Sequence, residues 1–324
     1  LSGPGKLDRT ITLPFHESDL RVGTYRIRMD PKDAPAIRLG VRVIAGVASR
    51  LSIPTGKSWI VVAGRRFALP DGLRVRRFDE RKSLSFYRAQ RRIGKRDRLF
   101  EKRRLPNGTE VKSVADLGRV AHVAVLHADV LRDTQDTFRV LASRGLSSHF
   151  GIDWDGTIHQ MLDVVDVGYG AGEVNPFSVQ IDLNNRLHNL ITHPNASPYP
   201  RGHRHLKRMA TPPFRREKSK PKIINGKPYQ TYGYNRPQYR ALIGLLQTLA
   251  GVLPRLSLRF PRGEDGQILM HYVDWAEGFE GVVAHWHLTP RRWDPGPAFD
   301  WEDVRRDVCT SSTPVKREAV SPPK

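Results

Sequence analysis

The sequence predicts an α/β fold, a mixed central β-sheet flanked by helices and preceded by a small β-rich domain. Three observations carry that expectation. The run His122-Val-Ala-Val-Leu-His127 is almost continuously apolar, as a strand buried on both faces would be, and Ser178-Val-Gln-Ile-Asp182-Leu183 and Val282-Val-Ala284 behave alike. Tyr239, Leu242, Ile243, Leu246, Leu249 and Leu253 recur at helical spacing and give one helix an apolar face. Upstream, Tyr25–Met29, Ile37–Ile44 and Trp59–Val62 are rich in β-branched and aromatic residues, several alternating with arginine.

Taken in order, residues 1–110 read as the β-rich basic domain, with turns at Ile53-Pro-Thr-Gly56 and Leu69-Pro-Asp-Gly72. It ends in an arginine-rich strip from Arg81 to Arg104, readable as a polyanion-binding surface with Phe86 and Tyr87 free to stack, or as a solvated helix or linker. Leu105-Pro-Asn-Gly108 closes this region as a turn. After the strand to His127, a helix begins at Asp133 or Thr134 and stops at Gly145. Asp155-Gly156 then turns a hairpin between Ser147–Ile152 and Thr157–Met161. Residues 184–233 are a basic, Pro- and His-rich insertion expected as a substrate-side loop or partial lid, and its Arg201-Gly-His203-Arg-His205 reads as solvated loop. Asn235 caps the long helix, with Pro237 in its first turn. Residues 311–324 are expected to be a disordered tail.

Composition narrows the function classes. A chain of 324 residues with 39% hydrophobic content is globular, and its formal charge of +21 predicts attraction to polyanions such as nucleic acid, anionic lipid or an acidic wall polymer. No nucleic-acid motif accompanies the charge. No apolar run approaches the roughly 18 residues that would span a bilayer, no signal-peptide pattern opens the chain, and its start at Leu1 reads as a processed or trimmed product. Cys309 is the only cysteine, which excludes an internal disulfide and multi-cysteine metal clusters.

The chemistry concentrates around Phe279–Trp301. His285 follows an apolar run, and Asp294 heads Asp-Pro-Gly-Pro297; imidazole and carboxylate together suit borderline-soft Zn²⁺. His127, at the end of its own strand, is the best third ligand, and His287 competes with His285. Three protein ligands with one open position are the layout of a catalytic zinc.

His127, Gly145-Leu-Ser-Ser-His149-Phe-Gly-Ile-Asp153-Trp-Asp-Gly156, Ala171-Gly172, Asn175, Val179-Gln-Ile-Asp182, Ala284-His285 and Asp294-Pro-Gly-Pro297 appear in that order. Over about residues 118–308 the chain resembles the zinc-dependent N-acetylmuramoyl-L-alanine amidases of the type-2 amidase and peptidoglycan-recognition group. The resemblance implies Zn²⁺ on His127, His285 and Asp294, and hydrolysis of the amide between N-acetylmuramic acid and L-alanine in peptidoglycan or muropeptides. It places Asp182 as general base where the group carries glutamate, and Arg292 as oxyanion partner where lysine is frequent. His149, Tyr169 and Asn175 fall on the substrate side. The group's Trp-His-Ala-Gly appears here as Tyr169-Gly-Ala-Gly172, so a polar contact is lost at Gly170. A non-catalytic peptidoglycan-recognition module is the alternative. The expected location is the bacterial envelope or outside the cell, with the cytoplasm also compatible, and an anionic wall polymer is a further candidate partner for the charge.

Overall fold

The computed structural model describes residues 58–93, 98–186, 188–198, 217–274 and 278–310, the side chains of 307–310 excepted. The strands expected at Tyr25–Met29 and Ile37–Ile44, the Arg201–His205 loop and the 311–324 tail lie outside the described residues.

Its centre is a six-stranded mixed sheet. From one edge to the other run β12 (Gly281–Ala284), β5 (Val123–Asp129), β9 (Ser178–Asn184), β6 (Phe150–Ile152), β7 (Thr157–Gln160) and β3 (Arg74–Arg77). The first four are mutually parallel, β7 is antiparallel to β6, and β3 is parallel to β7. Parallel strands need both faces covered, which is why β5 and β9 carry so few charges.

Alternation along the strands sorts the faces. Ala124, Leu126, Val179, Ile181, Leu183, Val282 and Ala284 enter the main core with Leu242, Leu245, Leu246 and Leu249 of the long helix α4 (Arg236–Val252). Each such leucine, fully buried, contributes about 1.5–3 kcal/mol. Val123, Val125 and Val283 point the other way, onto Ala171 and Val174 of a 3₁₀ turn over Gly172–Phe177. His127, Asp129, Gln180, Asp182 and Asn184 continue that second face, so it turns from apolar to polar along the strands. α4 starts as expected, with Asn235 accepting the N–H of Gln238 in a reciprocal capping box and Pro237 in the first turn.

The second face is roofed by α3 (Thr134–Ser143), capped by Asp133 and ended at Gly145 with φ +70°. Gly156 turns the β6–β7 hairpin with φ +76°, and a side chain there would meet the Pro237 carbonyl oxygen at 2.5 Å. A further helix, α2 (Val114–Val120), leads into β5 under the cap of Ser113.

The boundary expected at residue 110 does not divide the described chain. β1 (Trp59–Val62) and β2 (Arg65–Ala68) form a hairpin, but Ile60, Phe67, Leu69 and Leu73 belong to the main core, and β3 is an edge strand of the central sheet. The cause is the α4 surface: Gly244 leaves room there for Leu73 and Pro70.

The arginine strip is also corrected in part. In α1 (Phe86–Ile93) Phe86 is fully buried and Tyr87 donates to the Asp166 carboxylate, so neither ring is free to stack on a partner. Arg88 donates to the Phe78 and Ser83 carbonyls. Arg103, just after β4 (Phe100–Lys102), is 0% exposed and donates to the carbonyls of Val164, Asp166, Asn175, Pro176 and Ser178. It folds the chain around β8 (Asp166–Gly168) and the 3₁₀ turn; Arg91, Arg92, Arg98 and Arg104 remain exposed.

Inside the 184–233 insertion, β10 (Lys222–Ile224) and β11 (Lys227–Tyr229) make a hairpin around Asn225-Gly226, both at positive φ (48° and 77°). The Asn-Gly pair is the residue signal for that turn.

Candidate metal centre

β5 presents His127 on the polar end of the second face, in register with Asp182 of β9. β12 ends at Ala284, and the chain enters a one-turn helix, α5 (His285–Leu288), whose first residue faces His127. Asp294 returns at the end of the following loop, before a cis Asp294–Pro295 peptide. His127 Nδ1 lies 3.0 Å from His285 Nδ1 and 3.5 Å from Asp294 Oδ2, and His285 Nδ1 lies 3.1 Å from the same oxygen. These residues are the one group among the described residues arranged to hold a metal ion.

The donor atoms fit an ion. Ligands about 2.0–2.1 Å from a tetrahedral zinc stand about 3.3 Å apart, close to the separations found. The tautomer of His127 fits as well. Gln180 Nε2 donates to Ser178 Oγ at 2.5 Å and points to Asn175 Oδ1 at 3.5 Å, so its oxygen faces His127 Nε2 at 2.7 Å. That nitrogen therefore carries the proton, and in the neutral ring Nδ1 offers a bare lone pair toward His285 and Asp294.

Electrostatics follow from burial and these contacts. Burial pushes the Asp294 carboxyl up, but the His285 and His127 imidazoles outweigh it and hold the group well below the usual carboxylate range. Burial depresses His127, yet Asp294 and Asp182 raise it overall; His285 is lowered, by burial and by His127. Asp182 lies above its ordinary value because it is buried, against the opposing pull of His127. Asp129, two residues past His127, is raised further by burial, and accepts from Thr137 Oγ1 at 2.6 Å and from Asn184.

His287 is not a competing ligand. It is 0% exposed; its Nδ1 accepts the Ala284 N–H at 2.9 Å and its Nε2 donates to the Leu269 carbonyl at 2.6 Å. Burial lowers it to about 3, so it is neutral at ordinary pH. His149 is corrected likewise. It too is 0% exposed, accepting the Gln180 N–H at Nδ1 and donating to the Asp166 carbonyl, which leaves no atom for substrate. Asn175 Oδ1 accepts the N–H groups of Gly170 and Ala171 and shapes that loop. Tyr169 is partly exposed, next to Gly170, where a Cβ would lie 3.5 Å from His127 Nε2. Arg292 is exposed and close enough to lower His285 by its charge.

Sequence reasoning missed Gln180. Its signal is a polar residue two before Asp182 in a buried strand, hence on the same face as His127. It also missed Asn225, whose side chain reaches the far loop of the site.

Two imidazoles and a carboxylate converge, beside a buried carboxylate raised above its ordinary value, into a group able to hold a metal ion. The chain belongs to the N-acetylmuramoyl-L-alanine amidase family, whose model matches residues 117–297. Its reaction is hydrolysis of the amide between N-acetylmuramic acid and L-alanine in peptidoglycan or its fragments. Among solved structures it is similar to a selenomethionine derivative of AmpD (17% identity, 65% of this chain and 91% of that one, TM-score 0.34). It is also similar to the amidase LysC of Clostridium intestinale (15%, 60% and 88%, 0.35). A third is AmiD of E. coli, solved with anhydro-N-acetylmuramic acid-L-Ala-D-γ-Glu-L-Lys (19%, 63% and 65%, 0.36). No curated protein matches the chain.

Proposed function

We propose that His127, His285 and Asp294 hold a single Zn²⁺ and that the chain is a zinc-dependent amidase acting on peptidoglycan or muropeptides. The observation that carries this reading is the mutual 3.0–3.5 Å spacing of the three ligand atoms. The chemistry a zinc ion supplies when so held is polarisation of the scissile carbonyl and acidification of a water molecule.

The other roles belong to the chain. Asp182, with its raised carboxyl on the strand beside His127, takes a proton from the attacking water and returns it to the leaving L-alanine amine as the C–N bond breaks. Arg292 stabilises the charge developing on the carbonyl oxygen; as a permanent cation it does not shuttle protons. Gln180 keeps His127 in the ligating tautomer. Tyr169, partly exposed next to Gly170, and Asn175, which orders the Gly170–Ala171 turn, bear the substrate-side role in this reading.

No helix among the described residues is long and apolar enough to cross a membrane. The +21 charge suits work against an anionic wall polymer at the bacterial envelope. Mass spectrometry of muropeptides incubated with the protein, with added zinc and with a chelator, tests the reading. Free stem peptide that disappears with the chelator is expected; intact muropeptide in both would leave a peptidoglycan-recognition module.

A further inference from the structure

We infer that Asn225, at the tip of the β10–β11 hairpin, is a positioning residue that braces the loop joining His285 to Asp294. The inference rests on the metal-site reading above and extends it to a segment outside the ligand set.

The loop has little support of its own. Between the one-turn α5 and Asp294, the Arg292 N–H reaches the Thr289 carbonyl at 3.3 Å and the Arg291 N–H the Thr289 hydroxyl at 3.4 Å, both long contacts to one residue. Asn225 supplies what is missing. Its Nδ2 lies 3.2 Å from the Trp286 carbonyl, 3.4 Å from that of Thr289 and 3.2 Å from that of Arg292. The first carbonyl lies within α5, the second at its C-terminal cap and the third near the end of the loop, so the two protons of one amide, shared among three acceptors, tie the helical turn to the far end of the loop. The orientation of that amide is determined, because Oδ1 accepts the Tyr272 N–H at 2.6 Å and the reverse placement would set oxygen against oxygen. The Asn225 backbone N–H also donates to the Met270 carbonyl at 3.0 Å, which anchors the hairpin tip to the strip beside α5.

The residue type sharpens the argument. Position 225 has φ +48°, in the left-handed region where glycine is at ease and asparagine is tolerated. The turn alone asks for nothing that glycine lacks, and the side chain is committed to contacts more than 40 residues away in sequence. A second contact on the same hairpin agrees. Tyr229 stacks on Trp293, the neighbour of Asp294, with ring centroids 4.5 Å apart and planes within 10°. The insertion is thus a brace for the loop-borne ligands.

Asn225→Gly is the natural test, since it keeps the turn and removes only the amide. Asn225→Asp is the second variant; it keeps the Tyr272 contact but places acceptors against the carbonyls. Its added negative charge would by itself tighten a cation, so weaker binding there points to the lost clamp. Zinc affinity is read by chelator competition on the full chain, and backbone amide exchange over residues 286–292 is read on the metal-free protein. The expected result is a zinc Kd raised about 10-fold or more in both variants, with faster exchange confined to that loop and an unchanged melting temperature of the metal-free protein. Parental zinc affinity in both variants overturns the inference. Should the parent itself take up no zinc, the metal reading fails separately, and the exchange rates then decide: faster exchange upholds the brace, parental rates overturn it.

Discussion

The two halves of the candidate metal centre are held by different means. His127, Gln180 and Asp182 stand on neighbouring parallel strands, and their separations follow from the β5–β9 register, which pairs His127 with Asp182 directly. His285, Arg292 and Asp294 stand on a helical turn and a loop, and their places depend on bonds from distant side chains: Asn225 to three carbonyls, Tyr229 against Trp293, and the Tyr234 hydroxyl to the Pro295 carbonyl at 2.9 Å. A backbone ladder positions side chains at no cost in further specificity. A loop must be pinned piece by piece, by contacts from segments distant in the chain.

The comparison can be broken first at the ligands, one from each half. His127→Ala and His285→Ala should each lose zinc and at least about a 1000-fold of muropeptide turnover, because a two-ligand remnant lacks a catalytic shell; metal analysis beside a turnover assay checks both. Full zinc retention in His285→Ala would remove the loop half from the site. Asp182→Asn tests a group on the strands that touches no metal by this reading. It should lower kcat by about 10²–10⁴ with zinc content unchanged, and an unaltered kcat would remove Asp182 as the base.

Arg292→Ala, on the loop, should cost about 10²–10³ in kcat with little change in zinc affinity, which separates its role from that of Asn225. Gln180→Leu sharpens the strand side. It removes the acceptor that sets the His127 tautomer and should weaken zinc by about 10–100-fold, whereas Gln180→Glu retains the acceptor and should retain binding.

The smallest expected effect concerns stability. His287 sits buried and neutral at about 3, below the ordinary histidine value of about 6.5. Its folded value is depressed, so the unfolded chain binds the proton first and stability falls as pH drops from about 6.5 toward 3, by up to about 1.4 kcal/mol per pH unit. Urea denaturation of the metal-free protein at pH 7 and pH 5 should show a shallower acid loss in His287→Gln than in the parent.

Legibility in the sequence follows the same division. His127 and Asp182 were readable because a polar residue in an apolar run is conspicuous and strand periodicity tells which face it shares. His285 and Asp294 were readable by residue type and by their order along the chain, while the choice between His285 and His287 was not. Both histidines follow the same apolar run, and only the packing of His287 against the Leu269 carbonyl and the Ala284 N–H separates them. His149 shows the converse: its place in the motif order suggested the substrate side, and two backbone contacts in the core consume it. The Asn225-Gly226 turn was legible as a dipeptide but lay hidden in a basic insertion that read as loop.

By itself, then, the sequence determined the α/β class, the strands that carry the site, the long capped helix beneath them and the chemical types of the groups able to hold a metal ion. Those properties are local, set by periodicity, capping residues and the preference of apolar runs for buried sheets. Only the tertiary structure decided that residues 58–77 share the amidase core, that Arg103 is a buried scaffold instead of a surface charge, and that a hairpin about 60 residues upstream lies against the segment between His285 and Asp294. Those outcomes depend on which surfaces meet, and a contact between distant segments leaves no periodic trace in either one.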